Sequence, residues 1–191
     1  MDRTDEALYE SFVKQNDEEA MRHLFDRYRD PLTYYINGIV HNPDDAEEIM
    51  MDCFAVLIAQ TTRFAGRRGS SFKTWLFAIA TRKANLFFRQ NHRAGDFSGS
   101  EEILSDERFI PENRLLNNEK NLALYRALNK LSPDQKTALY LRYFEDMGPE
   151  EIGRVMRKSR NQVYKLLENG MRRLRELLDQ TDTEGMALWD M

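Results

Sequence analysis

A chain of 191 residues with 41% hydrophobic content can bury one core or two small ones, and no apolar run approaches the ~20 residues that cross a bilayer. Its single cysteine, Cys53, excludes an internal disulfide and points to a reducing cytoplasm; His23, His41 and His92 have no zinc spacing. Neither a phosphate-cradling glycine loop nor a nucleophile–base signature is present, so no enzyme, catalytic residue, metal, cofactor or membrane insertion is expected.

The formal net charge of −4 is the remainder of opposed blocks. Residues 1–60 carry 5 basic and 14 acidic side chains, whereas 61–94 carry 8 basic and no acidic ones. Residues 95–119 are acidic again, 120–178 hold 13 basic against 7 acidic, and 179–191 hold 4 acidic residues alone. Two basic blocks separated by an acidic one suit two contacts with a polyanion, whatever the overall pI.

The opening MDRTDEALYE is acidic, has no apolar block and is not a secretory signal. From Asp17 the pattern turns helical, with Leu24, Phe25, Tyr28, Leu32, Tyr35, Ile36 and Ile39 recurring every three or four residues. Asn42-Pro43-Asp44-Asp45 starts a second helix, with Asp44 the expected cap and Ile49, Met50, Phe54, Leu57 and Ile58 on one face. Ala65–Ser71 is a loop punctuated by glycine and serine, and a third helix is expected over about residues 72–89. Residues 95–117 read as an acidic linker. After Leu128, Ser132 is placed to cap a helix with Pro133 at its first position, and three helices fit residues 133–145, 149–156 and 160–178. No strand alternation occurs. The expected class is all-α: two small helical domains, 1–94 and 118–178, joined by the linker and followed by an acidic tail, 179–191.

Three constellations carry chemistry. The short helix with Gly153, the tight Arg157-Lys158-Ser159 connection and the long helix from Arg160 have helix-turn-helix spacing, with Ser159 as cap. Val163, Leu166, Leu167, Gly170, Leu174 and Leu177 are expected to face inward. Arg160, Asn161, Gln162, Lys165, Glu168, Asn169 and Arg172 are expected to point outward, where the N-terminal members can reach base edges in a major groove. In residues 61–94, basic side chains interleave with Phe64, Phe72, Trp75, Phe77, Phe87 and Phe88, the composition with which unpaired bases are stacked and phosphates tracked. Phe64, in the loop, is expected to act on nucleic acid without contributing to the core. The third is the acidic helix stretch Asp44-Asp45-Ala46-Glu47-Glu48-Ile49-Met50-Met51-Asp52, which reads as solvated surface or as a protein-binding face. Cys53 on that helix is expected to pack.

Two segments resemble one family. LFDRYRDPLTYYINGIVHNPDDAEEIMMDCFAVLIAQ with FAGRRGSSFKTWLFAIATRKA is similar to the second region of extracytoplasmic-function sigma factors, and LSPDQKTALYLRYFEDMGPEEIGRVMRKSRNQVYKLLENGMRRLRELL to their fourth. The resemblance implies a promoter-directing subunit of bacterial RNA polymerase. Asp45, Glu48, Met51 and Asp52 would then bind the clamp helices of the largest subunit. Phe64, Arg67, Arg68, Lys73, Trp75, Arg82 and Lys83 would recognise and hold open the minus-ten element. Lys158, Ser159, Arg160, Asn161, Gln162, Lys165 and Arg172 would read the minus-thirty-five element. It further implies contacts with the polymerase flap, with promoter DNA as duplex and single strand, and with an anti-sigma factor or other recruiting protein. The chain departs from the family where Arg157-Lys158 replaces Gly-Ile in the turn, where Leu166 and Asn169 replace basic residues, and where Glu168 adds negative charge. A conventional helix-turn-helix regulator of duplex DNA, or an RNA-binding adaptor, would share the same composition.

Overall fold

The computed structural model describes residues 3–60, 64–66, 70–91, 124 and 126–187, with side chains as far as Asp179. Arg67, Arg68, the 95–117 linker and the tail beyond Asp179, its helical backbone to Ala187 aside, lie outside the described residues. The described residues are helical with no strand, as expected of an all-α chain. The chain divides into two compact units, one of residues 1–96 with 151–157 and one of residues 97–150 with 158–191.

In the first unit, α1 (Asp5–Gln15), α2 (Glu18–Val40), α3 (Pro43–Ile58) and α4 (Phe72–Asn91) pack together. The sequence pattern did not mark α1. Only Leu8, Tyr9 and Phe12 form its apolar face, too few to stand out as a period, yet all three are buried. Thr4 caps it and Asn16, in the left-handed region at φ 53°, ends it. Asp17 then caps α2 by accepting from the Ala20 backbone at 3.0 Å, and also accepts from Ser11 Oγ at 2.7 Å. Those hydrogen bonds, Ser11 first, hold its carboxyl below the usual carboxylate range.

The cap of α3 is Asn42, not Asp44: its Oδ1 accepts from the backbone of Asp44 at 2.9 Å and of Asp45 at 3.1 Å. Pro43 at the first helical position puts the capping site one residue before it. Leu24, Leu32, Ile36, Leu57, Phe72, Leu76 and Phe77 are fully buried between the helices. Thr81 Oγ1 donates to the Phe77 carbonyl at 2.7 Å, so the Tyr35 hydroxyl donates to Thr81 across the core at 2.7 Å. Cys53 is buried, and burial pushes its thiol up to about 12. It packs, as expected.

Beyond the linker, α5 (Pro133–Tyr143), α6 (Pro149–Met156) and α7 (Arg160–Ala187) follow. Ser132 and Gln135 exchange a reciprocal capping box at α5. The second unit's core gathers Ala127, Leu131, Leu139 and Leu177, with Leu167, Met171 and Leu174 packed against it. Gly170 sets the closeness of α5 and α7: a Cβ there would stand 3.2 Å from Leu139 Cδ1. Leu166 corrects the expected inward face. It lines a shallow depression with Lys158, Gln162, Lys165 and Asn169, among the outward residues.

The turn after α6 places Arg157 at φ 55°, a conformation that costs a residue with a Cβ about 1–2 kcal/mol. This is where the resembled family carries glycine. Arg157→Gly is expected to raise stability by about 0.5–1 kcal/mol, the lost strain outweighing the added entropy of the unfolded chain. Chemical denaturation checks it, and a loss of stability would show that the arginine side chain holds the turn.

Candidate nucleic-acid interface

Helix α3 begins with Pro43 and carries Asp44 and Asp45 in its first turn, where acidic groups meet the positive end of the helix dipole. Its buried stripe, Ala46, Ile49, Met50, Cys53, Phe54 and Leu57, leaves Glu48, Met51 and Asp52 exposed, with Asp45 half-buried. Asp45, Glu48 and Asp52 follow at three- and four-residue steps, so the helix brings them to one side. Met51 is 54% exposed beside them, an apolar element in an acidic face.

Opposite in charge, α4 has no acidic residue. Its first ring, Phe72, is fully buried and meets Tyr9 at 5.2 Å, Trp75 at 5.7 Å, Tyr28 at 5.9 Å and Phe64 at 6.0 Å between centroids. Trp75 also meets Tyr9 at 5.5 Å and Phe64 at 5.7 Å. Phe64 and Trp75 are half-buried, so the outer rings of the cluster reach solvent beside the loop. Such rings can take a stacked base. Phe64 is therefore a member of the aromatic cluster as well as of the loop, against the expectation that it stands apart from the core. Tyr9 was missed for a plain reason: it belongs to the helix that the sequence pattern did not mark.

The α4 N-terminus is held by Glu6, whose Oε1 accepts from the Phe72 backbone at 2.9 Å, and by Ser71, whose Oγ accepts from the Thr74 backbone at 3.1 Å. Of the cationic candidates, Lys73 is half-buried and Arg82 is exposed, its Nε donating to the Ala78 carbonyl at 3.2 Å. Lys83 Nζ stands 2.8 Å from Asp52 Oδ2. One residue assigned to each of two roles thus meets in a single ion pair.

At the second unit, Ser159 caps α7 as expected: Gln162 N donates to its Oγ at 3.3 Å, while Ser159 N donates to Gln162 Oε1 at 2.7 Å. Gln162 is thereby half committed to the cap. Asn161 and Lys165 are exposed, and so is Arg172, which donates to Asn169 Oδ1 at 2.9 Å. Lys158 pairs with Asp134 at 2.7 Å. Arg160 is held from two sides, by Glu150 Oε1 at 3.3 Å and by the Tyr164 hydroxyl at 3.1 Å, with its guanidinium carbon 5.4 Å from the Tyr164 ring centroid. The Tyr164 hydroxyl first, and the Glu150 charge after it, raise the guanidinium pKa above its ordinary value. Tyr164 and Glu150 were not among the residues singled out. The i, i+4 spacing of Arg160 and Tyr164 on one helix face was the available signal.

Among known proteins, residues 24–94 match the family described as Sigma-70 region 2 and residues 121–174 the family described as Sigma-70, region 4. The chain is 25% identical over 167 residues to the ECF RNA polymerase sigma factor SigX of Bacillus subtilis, covering 85% of each. It is 27% identical over 165 residues to the ECF RNA polymerase sigma-E factor of Haemophilus influenzae, covering 80% of this chain and 84% of that one. Its fold resembles that of CnrH, solved in complex with the cytosolic domain of CnrY, at a TM-score of 0.66 and 18% identity, covering 92% of this chain and 97% of that one. It also resembles the sigma factor RpoE solved with the anti-sigma factor NepR from Bartonella quintana, at a TM-score of 0.63 and 20% identity, covering 83% and 96%. With two sigma-70 regions matched in order over about two thirds of its length, and sigma factors aligned along most of it, the chain belongs to the sigma-70 family as an extracytoplasmic-function sigma factor.

Proposed function

We propose that this protein works in the cytoplasm by directing core RNA polymerase to specific promoters and helping to open them, with three surfaces sharing the task. The acidic face of α3, Asp45, Glu48 and Asp52 around Met51, binds the clamp helices of the largest subunit. The loop and α4, from Phe64 through Lys83, recognise and hold the minus-ten element as single strand. The helix-turn-helix residues from Lys158 to Arg172 read the minus-thirty-five element as duplex, with the flap bound by the same region. The single observation that carries this reading is the first unit's polarity. An exposed acidic helix face stands next to an acid-free helix whose aromatic cluster reaches solvent.

Flipping a base out of a duplex costs a few kcal/mol, and stacking on an aromatic face returns about 1–3 kcal/mol per base. A partly exposed Phe64–Trp75 pair is suited to that exchange. The fold neighbour solved with the anti-sigma factor NepR supports an anti-sigma factor as a further partner. The deciding experiment is in vitro transcription from a genomic library with core polymerase, with and without the protein. Transcripts that depend on it are expected. Tight sequence-specific duplex binding without any polymerase dependence would make it a conventional regulator.

Reversing both Asp45 and Glu48 to Lys is expected to weaken co-purification with core enzyme at least tenfold while leaving helicity intact. Unchanged binding would return that face to solvated surface. Phe64→Ala and Trp75→Ala are expected to impair opening of a double-stranded promoter and to spare transcription from a pre-melted one. They differ in stability: about 1–2 kcal/mol for half-buried Phe64, and about 3 kcal/mol for Trp75, which joins three rings. Thermal melts and permanganate footprinting check the pair, and equal defects on pre-melted templates would remove melting from their role.

A further inference from the structure

The helix-turn-helix carries fewer free cations than its sequence suggests. Lys158 is paired with Asp134, and Arg160 with Glu150. A guanidinium next to a carboxylate is a poor phosphate anchor, because the second charge repels the backbone that the first attracts, and counterion release follows the charges that remain. Arg160 nevertheless keeps directional chemistry. Two of its five N–H donors are engaged by Glu150 Oε1 and the Tyr164 hydroxyl, and the rest remain. Its side chain is 60% exposed and Tyr164 is 45% exposed, so neither is a core residue. The hydroxyl of Tyr164, having accepted from Arg160, keeps its own proton to donate.

We propose that Arg160 and Tyr164 act as one specificity-determining unit that reads a guanine in the upstream element, with Glu150 and Tyr164 fixing the guanidinium for that contact. The inference rests on the reading of α7 as the upstream-element helix and deepens it. Both groups sit in the first turns of α7, the part of a recognition helix that meets base edges. The guanidinium presents donors only, and the Tyr164 hydroxyl, having accepted from Arg160, adds its own proton as a donor. In the major groove guanine offers two acceptors, N7 and O6, whereas adenine offers one acceptor with a donor, cytosine a donor, and thymine one acceptor with a methyl group. Two adjacent donors, one of them a guanidinium that cannot accept, therefore match guanine best. A free arginine gives up rotamer entropy when it docks, and the two tethers have already restricted this one. Tyr164 is a positioning residue as well as a donor, and Glu150 is a positioning residue alone.

The test measures holoenzyme affinity for promoters in which each upstream base pair is varied in turn, at several salt concentrations. Wild type is expected to prefer guanine at one position by about tenfold or more. Arg160→Ala should abolish that preference. Tyr164→Phe, which keeps the ring, should reduce it several-fold at the same position, leave the salt dependence unchanged, and add nothing to Arg160→Ala in the double variant. Glu150→Gln keeps an acceptor and should keep the preference. The inference is overturned if Tyr164→Phe weakens all sequences alike, changes the salt slope, or adds to Arg160→Ala. Wild-type selectivity retained by both variants would sink this inference alone. Wild type without any upstream preference would sink the upstream reading of α7 with it.

Discussion

The burial of Phe72 is the constraint on which the first unit depends. This ring opens α4, is fully excluded from water, and is surrounded by Tyr9 from α1, Tyr28 from α2, Phe64 from the loop and Trp75 from the next turn. Excluding such a side chain from water is worth about 1.5–3 kcal/mol, and ring–ring geometry adds to it. Because every partner comes from a different place in the chain, one ring ties the start of α4 to α1, α2 and Phe64. Glu6 completes the arrangement by taking the N–H of Phe72, 66 residues along the chain, so α1 supplies both a ring and a cap to α4.

Around that centre, electrostatics are arranged by subtraction. α4 has no acid of its own, and Lys83 finds one on α3 instead. The pair is partly exposed, with Asp52 the more open member, so it is worth little as a stabiliser in the free protein. Its interest is that Asp52 and Lys83 each lose a partner if polymerase takes the one or DNA the other. In the second unit the same habit recurs at Lys158 with Asp134 and Arg160 with Glu150. Intramolecular carboxylates offset two of the cations around the start of α7. On the proposed reading of this unit, DNA affinity would lean on geometry and on directional donors more than on counterion release.

Backbone conformation shows what the departure from the family in the turn costs. Glycine reaches the left-handed region without strain, whereas Arg157 occupies it at φ 55° with a Cβ. Asn16, His41, Gln60 and Asp146 take the same region, each close behind a helix end. The chain thus ends its helices with left-handed residues while using glycine sparingly. Its close approach of α5 and α7 is reserved for Gly170, where a larger residue would press on Leu139.

Much of this was readable from residues alone. The all-α class, the existence of α2 through α7 and the caps at Ser132 and Ser159 follow from local rules, since period, proline position and capping chemistry act within four residues. The acidic and basic character of α3 and α4 is likewise a property of composition. Where locality fails, only the tertiary structure decided. Three apolar residues make α1 a helix because α2 and α4 bury them. Phe64 belongs to the cluster because Phe72 and Trp75 accept its ring, and Leu166 turns outward although its spacing would allow either face. The pairing of Lys83 with Asp52, and of Lys158 with Asp134, joins residues more than twenty positions apart. Composition counts such charges as free, because a sequence records how many cations a segment has but not which carboxylates the fold brings within 3 Å of them.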